Sequence, residues 1–130
     1  MNTAVDTSFF TIMSTEKFRE QKEQFAYHKE MLHSMSSIRY CKAEIFRDCM
    51  TGTIRLPQKN DYKKVQLAFG FYLTGDRIYF IEDEGKLKPW IEKRVEIFRR
   101  ADTPAQLMQQ MMEYMIEEDS MFFSHMESVV

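Results

Sequence analysis

The sequence predicts an α+β domain: a small, mostly antiparallel or mixed sheet with helices packed on it as an α/β/α sandwich. Three patterns carry the expectation. Val65, Leu67, Phe69, Phe71 and Leu73 alternate with Gln66, Ala68, Gly70 and Tyr72 at the period of a strand. Thr74-Gly75-Asp76 follows directly as a turn, so a hairpin is expected there. Helical spacing dominates the segments before and after this region, which places the helices outside the run of strands. With 130 residues, one domain is expected, large enough to bury a single core without disulfides or a structural metal.

Taken in order, Phe9 to Met13 is a short β-prone run, and Ser14 stands where it can cap a following helix. A heavily charged helical stretch runs from Thr15 to about Met35, with Phe18, Phe25, Met31, Leu32 and Met35 as its apolar members; Ser34, Ser36 and Ser37 then break it. Tyr40 to Arg47 alternates, with Cys41, Ala43 and Ile45 on one face, as a half-exposed strand does. Met50-Thr51-Gly52-Thr53 reads as a turn, and Ile54 with Leu56 begins a returning strand that Pro57 ends. A polar loop from Gln58 to Lys64 leads to the alternating strand already described. Both faces of that strand are poor in charge, so it belongs at the sheet centre, covered on two sides. Arg77 to Ile81 is the next strand. Lys86 to Arg100 reads as an amphipathic helix with Leu87, Trp90, Ile91, Val95 and Phe98 inward. The resulting order is β, α, α, β, β, β, β, α, α.

The last helix has a well-marked start. Asp102 and Thr103 precede Pro104, and Gln106 follows Thr103 at the spacing of a capping box with proline at the first helical position. Beyond it, Met108, Met111, Met115, Phe122, Met126 and Val129 form one apolar row and Met112, Ile116, Phe123 and Val130 a second. Only Glu113, Glu117, Ser120, Ser124 and Glu127 stay polar. A helix from Thr103 to Val130 would span about 40 Å, against a radius of gyration of about 13 Å for a domain of ~100 residues. Part of it is therefore expected to leave its domain. That divides the chain into residues 1–102, an α/β domain, and 103–130, a helix packed only in part on that domain. The surface that leaves needs a cover, most simply the same helix from other subunits or a continuation of this chain, and the first makes Met108, Met111, Met115, Phe122 and Met126 candidates for an oligomer interface. Methionine suits an adaptable apolar contact of this kind. The competing expectation is a helix folded flat across its own sheet.

Composition and motifs exclude more than they assign. The formal charge is −2, and the basic residues from Lys86 to Arg100 around Trp90 are interleaved with Glu92 and Glu96, so no nucleic-acid strip is expected. Cys41 and Cys49 fit no zinc or C-x-x-C spacing and read as free thiols in a reducing compartment. Met1 to Asp6 is polar without a basic start, so no signal peptide is expected, and the apolar run from Leu67 to Leu73 is far short of the ~20 residues that span a bilayer. The scattered glycines make no phosphate loop, and hydrolase, zinc-protease and calcium-loop motifs are missing. His28 and His33 splay to different helix faces and read as surface residues. Glu82, Asp83 and Glu84 at a strand end, and Glu117, Glu118 and Asp119 on the long helix, are candidate ligands for a hard cation such as Mg2+, with a solvated acidic surface as the competing reading. Cys41 has no histidine partner in view, and no enzymatic activity is expected.

Read in order, several segments resemble the N-terminal cytoplasmic domain of the CorA family of magnesium and cobalt transport channels. They are Tyr27-His28-Lys29-Glu30-Met31-Leu32, Lys42-Ala43-Glu44-Ile45-Phe46, Val65 to Thr74 with Ile78-Tyr79-Phe80-Ile81, and Thr103-Pro104-Ala105-Gln106-Leu107 leading to Met115-Ile116-Glu117-Glu118-Asp119 and Met126-Glu127. The order and spacing of these stretches carry the likeness over nearly the whole chain. It implies an α/β/α sandwich whose last helix continues as a stalk toward two transmembrane helices, five copies forming a funnel on the cytoplasmic side of the membrane. It also implies a regulatory divalent cation between subunits. The family's Gly-Met-Asn pore loop does not occur here, and the positions matching its cation-binding acidic pair are His33 and Ser34. The implied role is therefore a regulatory and assembly domain without its own pore. Two other roles fit the residues: a free-standing protein-interaction module docking through the Met-rich helix, and a small-ligand or enzymatic α+β domain with its site around Cys41, Tyr72 and Tyr79.

Overall fold

The computed structural model describes residues 9–36, 41–58, 61, 64–94, 96 and 101–115. Strands β1 (Phe10–Met13), β2 (Lys42–Ile45), β3 (Met50–Pro57), β4 (Val65–Leu73) and β5 (Ile78–Ile81) form one sheet in the order β1-β5-β4-β3-β2. Helices α1 (Thr15–Glu20), α2 (His28–Met35), α3 (Leu87–Glu92) and α4, the helical residues 104–115, accompany it. β1 runs parallel to β5 and every other pairing is antiparallel, which makes the fold α+β with a mixed sheet. β4 occupies the centre, where its charge-poor faces require it to be.

Alternation along β4 and β5 sends side chains to two separate cores. Leu67, Phe69, Phe71, Ile78 and Phe80 join Leu87, Trp90 and Ile91 of α3 and Leu107, Met108, Met111 and Met115 of α4. Tyr72 and Ile81 point the other way and meet Met13, Phe18 of α1, Phe25 and Met31 of α2. The two helix starts marked in the sequence are built as expected. Ser14 Oγ accepts the Lys17 N–H at 3.1 Å, and Thr103 Oγ1 accepts the Gln106 N–H at 3.1 Å. The return bond of the second cap lands one residue early, with Gln106 Oε1 accepting the Asp102 N–H at 2.7 Å.

Three expectations need correction. The charged stretch from Thr15 to Met35 is two helices separated by residues 21–27, ending on Tyr27 in the left-handed region at φ 62°. The break lets Phe25 leave the helical path and bury its ring between Tyr72 and Tyr79, at centroid distances of 5.0 and 4.8 Å. Met50-Thr51-Gly52-Thr53 is strand, and the chain reverses earlier, where the Phe46 N–H donates to the Cys49 carbonyl at 2.8 Å. Gly52 answers a close approach instead of a turn: a Cβ there would stand 2.2 Å from the Lys42 carbonyl oxygen and 2.6 Å from the Phe71 ring.

The third correction concerns the terminal helix. Met108, Met111 and Met115 are 5%, 0% and 6% exposed, so these three interface candidates are core of this chain. They share with Leu107 the stripe that faces the sheet, and a stripe of that width is what a helix covering its own core needs. Phe122 and Met126 lie outside the described residues, as do Val95 and Phe98. Among the described residues no helix is long and apolar enough to cross a membrane.

Candidate functional site

The acidic residues at the end of β5 are engaged by backbone and surface partners. Glu82 is buried, and its carboxylate accepts three main-chain N–H groups: Glu84 at 2.8 Å, Lys86 at 3.0 Å and Leu87 at 3.1 Å. It ties the β5–α3 turn together from inside. Asp83 turns toward α1, taking the Thr15 N–H and the Thr15 hydroxyl at 2.7 Å each, which fastens the helix start to the sheet. Glu84 is exposed and pairs with Lys86 at 3.0 Å. The three carboxylates thus point to three different tasks, and their candidacy as a cation cluster is corrected accordingly. Among the described residues no group of three or more His, Cys, Asp or Glu side chains is arranged to hold a metal ion. Glu117, Glu118 and Asp119 lie outside the described residues.

Among the described residues, Cys41, Tyr72 and Tyr79 do not converge on a pocket. Phe25 fills the space between the two tyrosine rings, the Tyr72 hydroxyl donates to the Ala26 carbonyl at 2.8 Å, and Cys41 is exposed at the sheet edge beside the Arg55 main chain. Burial first, then hydrogen bonding with the Cys49 thiol, pushes the Tyr72 phenol well above its ordinary range. His28, expected on the surface, is buried; it stacks on Phe18 at 4.5 Å and bonds its carbonyl oxygen through Nε2. His33 is exposed and Ser34 half-buried at the neighbouring turn of α2.

What the structure does assemble lies on the other side of the sheet. Gln66 and Leu67 of β4, Gly85 and Lys86 of the β5–α3 turn, and Pro89, Trp90, Lys93 and Arg94 of α3 and its end enclose a cleft of about 280 Å³. Among the described residues, three cationic side chains line it and no carboxylate does. The Arg94 guanidinium is held in place: it lies 4.2 Å from the Trp90 ring centroid and 4.7 Å from that of Tyr114, while Nη1 donates to the Trp90 carbonyl at 2.9 Å. A bulge in the β3–β4 ladder, where Leu56 pairs with Leu67 and Pro57 with Val65, leaves Gln66 out of register at the cleft wall. The cationic side chains stand beside an apolar wall of Leu67, Pro89 and Trp90. Sequence reading passed over it because the basic residues alternate with acidic ones; the usable signal was Lys86, Trp90, Lys93 and Arg94 at three- and four-residue spacing around one aromatic ring.

No protein-family model matches the chain, and no curated protein does.

Proposed function

We propose that the chain is a cytoplasmic regulatory and assembly domain of a CorA-like divalent-cation transport channel, acting as part of a homo-oligomer, a pentamer in the complete protein. The observation that carries this reading is the placement of the resembling segments in one architecture. Val65 to Thr74 and Ile78 to Ile81 form the central hairpin, and Thr103-Pro104-Ala105-Gln106 caps the helix that closes the fold. The resemblance implies an α/β/α sandwich whose last helix continues as a stalk, and a mixed sheet with helices is compatible with it.

The domain's regulatory chemistry differs from the family pattern. At the positions of the family's acidic pair, His33 offers an exposed imidazole and Ser34 a neutral hydroxyl, a donor set that does not fit a hard cation preferring several carboxylate oxygens. The role as a docking module built on Met108, Met111 and Met115 is disfavoured because these side chains are buried in their own core.

The test is the gene and its product. The reading frame after codon 130 is expected to encode two apolar spans of about 20 residues with Gly-Met-Asn between them. Liposomes carrying the complete product are expected to take up Mg2+ or Co2+. A frame without such spans refutes the reading.

A further inference from the structure

We propose that the chain pairs with a second copy of itself through the outer edge of β2, the two β2 strands running antiparallel about a two-fold axis at Ala43. β2 is the last strand of its sheet, with β3 on one side only. The Phe46 N–H donates to the Cys49 carbonyl, and ladder alternation then turns the main-chain groups of Lys42 and Glu44 toward β3 and those of Ala43 and Ile45 away from it. Ala43 and Ile45 thus offer N–H and carbonyl groups to a further strand. The opposite edge is partly closed, since Arg77 Nη1 donates to the Phe10 carbonyl of β1 and to the Thr11 hydroxyl at 2.9 Å each. The side chains of β2 do not shield it: Ile45 is 83% exposed, and Cys41, Ala43 and Glu44 are exposed with it. Charge selects both the partner and the register. With Ala43 on the axis, Lys42 of each copy stands opposite Glu44 of the other, and Cys41 opposite Ile45. The neighbouring registers that also join outward groups to outward groups set Glu44 against Glu44 or Lys42 against Lys42, like charges directly opposite. Among the described residues neither Lys42 nor Glu44 has an ion-pair partner within the chain. The joined edges then carry charge pairs on one face and Cys41, Ala43 and Ile45 of both copies as an apolar strip on the other. The inference does not rest on the channel reading, because a two-fold contact joins two chains through one surface, whereas the ring of a pentamer needs two different surfaces.

β2 has only 4 residues, so the contact is small and a reversible dimer with a Kd of about 10–100 µM is expected. Sedimentation equilibrium of the full chain measures it at low ionic strength, from about 10 µM to about 1 mM, with a reductant that keeps the exposed Cys41 from bridging two chains. Ala43→Pro removes the N–H at the axis in both copies while sparing the β2–β3 ladder, to which Ala43 does not donate, and is expected to raise Kd about thirtyfold or more. Lys42→Glu and Glu44→Lys each set like charges opposite one another in both pairs, and each is expected to weaken self-association about tenfold. A one-to-one mixture of these two variants is expected to associate within about threefold of the parent, because every pair between unlike chains is again of opposite sign. Circular dichroism and thermal unfolding establish that the variants are folded. A chain that stays monomeric to about 1 mM overturns the proposal and leaves the edge to a foreign strand or to solvent. Association that Ala43→Pro does not change belongs to another surface and overturns it as well, as does a mixture that associates no better than its two components.

Discussion

Replacing Glu82 by alanine separates two opposite meanings of an acidic stretch. If Glu82, Asp83 and Glu84 were a cluster awaiting a cation, deleting one charge would relieve repulsion and stabilise the metal-free chain. In the structure Glu82 instead holds three main-chain N–H groups, at 2.8, 3.0 and 3.1 Å, and is 8% exposed. Leu87 is buried, so its N–H has no ready replacement and would cost about 1–3 kcal/mol unsatisfied. Glu84 and Lys86 are exposed, and water can partly replace the carboxylate at their amides, for about 1 kcal/mol each. Glu82→Ala is thus expected to lower unfolding free energy by about 3–5 kcal/mol, a large share of the ~5–15 kcal/mol typical of a domain, and to lower Tm by about 10 °C or more. Glu82→Gln keeps one oxygen able to accept from Lys86 and Leu87 but turns an amide toward the Glu84 N–H, so an intermediate loss is expected. Urea unfolding with and without Mg2+ measures both variants. A loss under about 1 kcal/mol for Glu82→Ala, or a Mg2+ stabilisation of the parent that this variant abolishes, refutes the capping account.

Three further outcomes are expected. Gly52→Ala must displace the Lys42 carbonyl or the Phe71 ring, since a Cβ would meet them at 2.2 and 2.6 Å, and a loss of about 2 kcal/mol or more in urea unfolding is expected. Met111→Ala, at a fully buried position, is expected to cost about 2–5 kcal/mol while light scattering shows an unchanged oligomeric state; a changed state with little loss of stability would restore the interface reading. Tyr72→Phe gives up the bond to the Ala26 carbonyl for about 1 kcal/mol near pH 8. Because the folded chain holds the Tyr72 proton more tightly than the unfolded one, that group's contribution is intact below the ordinary phenol value of about 10 and is lost as pH climbs from there toward the raised folded value. The gap between parent and variant should narrow between pH 9 and about 11, and a constant gap would contradict the raised phenol.

The features legible in the chain were those fixed by neighbours in sequence. The β4–β5 hairpin follows from period-two alternation meeting Thr74-Gly75-Asp76, and the Thr74 hydroxyl indeed takes the Asp76 and Arg77 N–H groups. The caps at Ser14 and Thr103 are equally local. What escaped was set by distant partners. Nothing near Phe25 announces that Tyr72 and Tyr79 will receive its ring, so the helical stretch gave no sign of dividing. Gly52 in Met-Thr-Gly-Thr looks like turn chemistry, yet the restriction comes from Phe71 on the paired strand. The cleft needed both the Gln66 bulge and the docking of α3, neither of which has a local signature.

The terminal helix shows why an apolar stripe alone does not name its partner. Two adjacent rows of methionine and other apolar residues bury equally well against a sheet of the same chain or against a second subunit, because burial of apolar area has no direction. Position decides. Trp90 meets Tyr114 edge to face at 5.8 Å, which keeps α4 against α3 down to that residue, and Met111 and Met115 fill the sheet-facing side over the same length. Within residues 104–115 the apolar capacity is therefore spent inside the chain, with only Met112 and Tyr114 left partly buried at the margin. Substitutions at Met108, Met111 and Met115 therefore test folding, and of the interface candidates only Phe122 and Met126, outside the described residues, are left for a test of assembly in the complete protein.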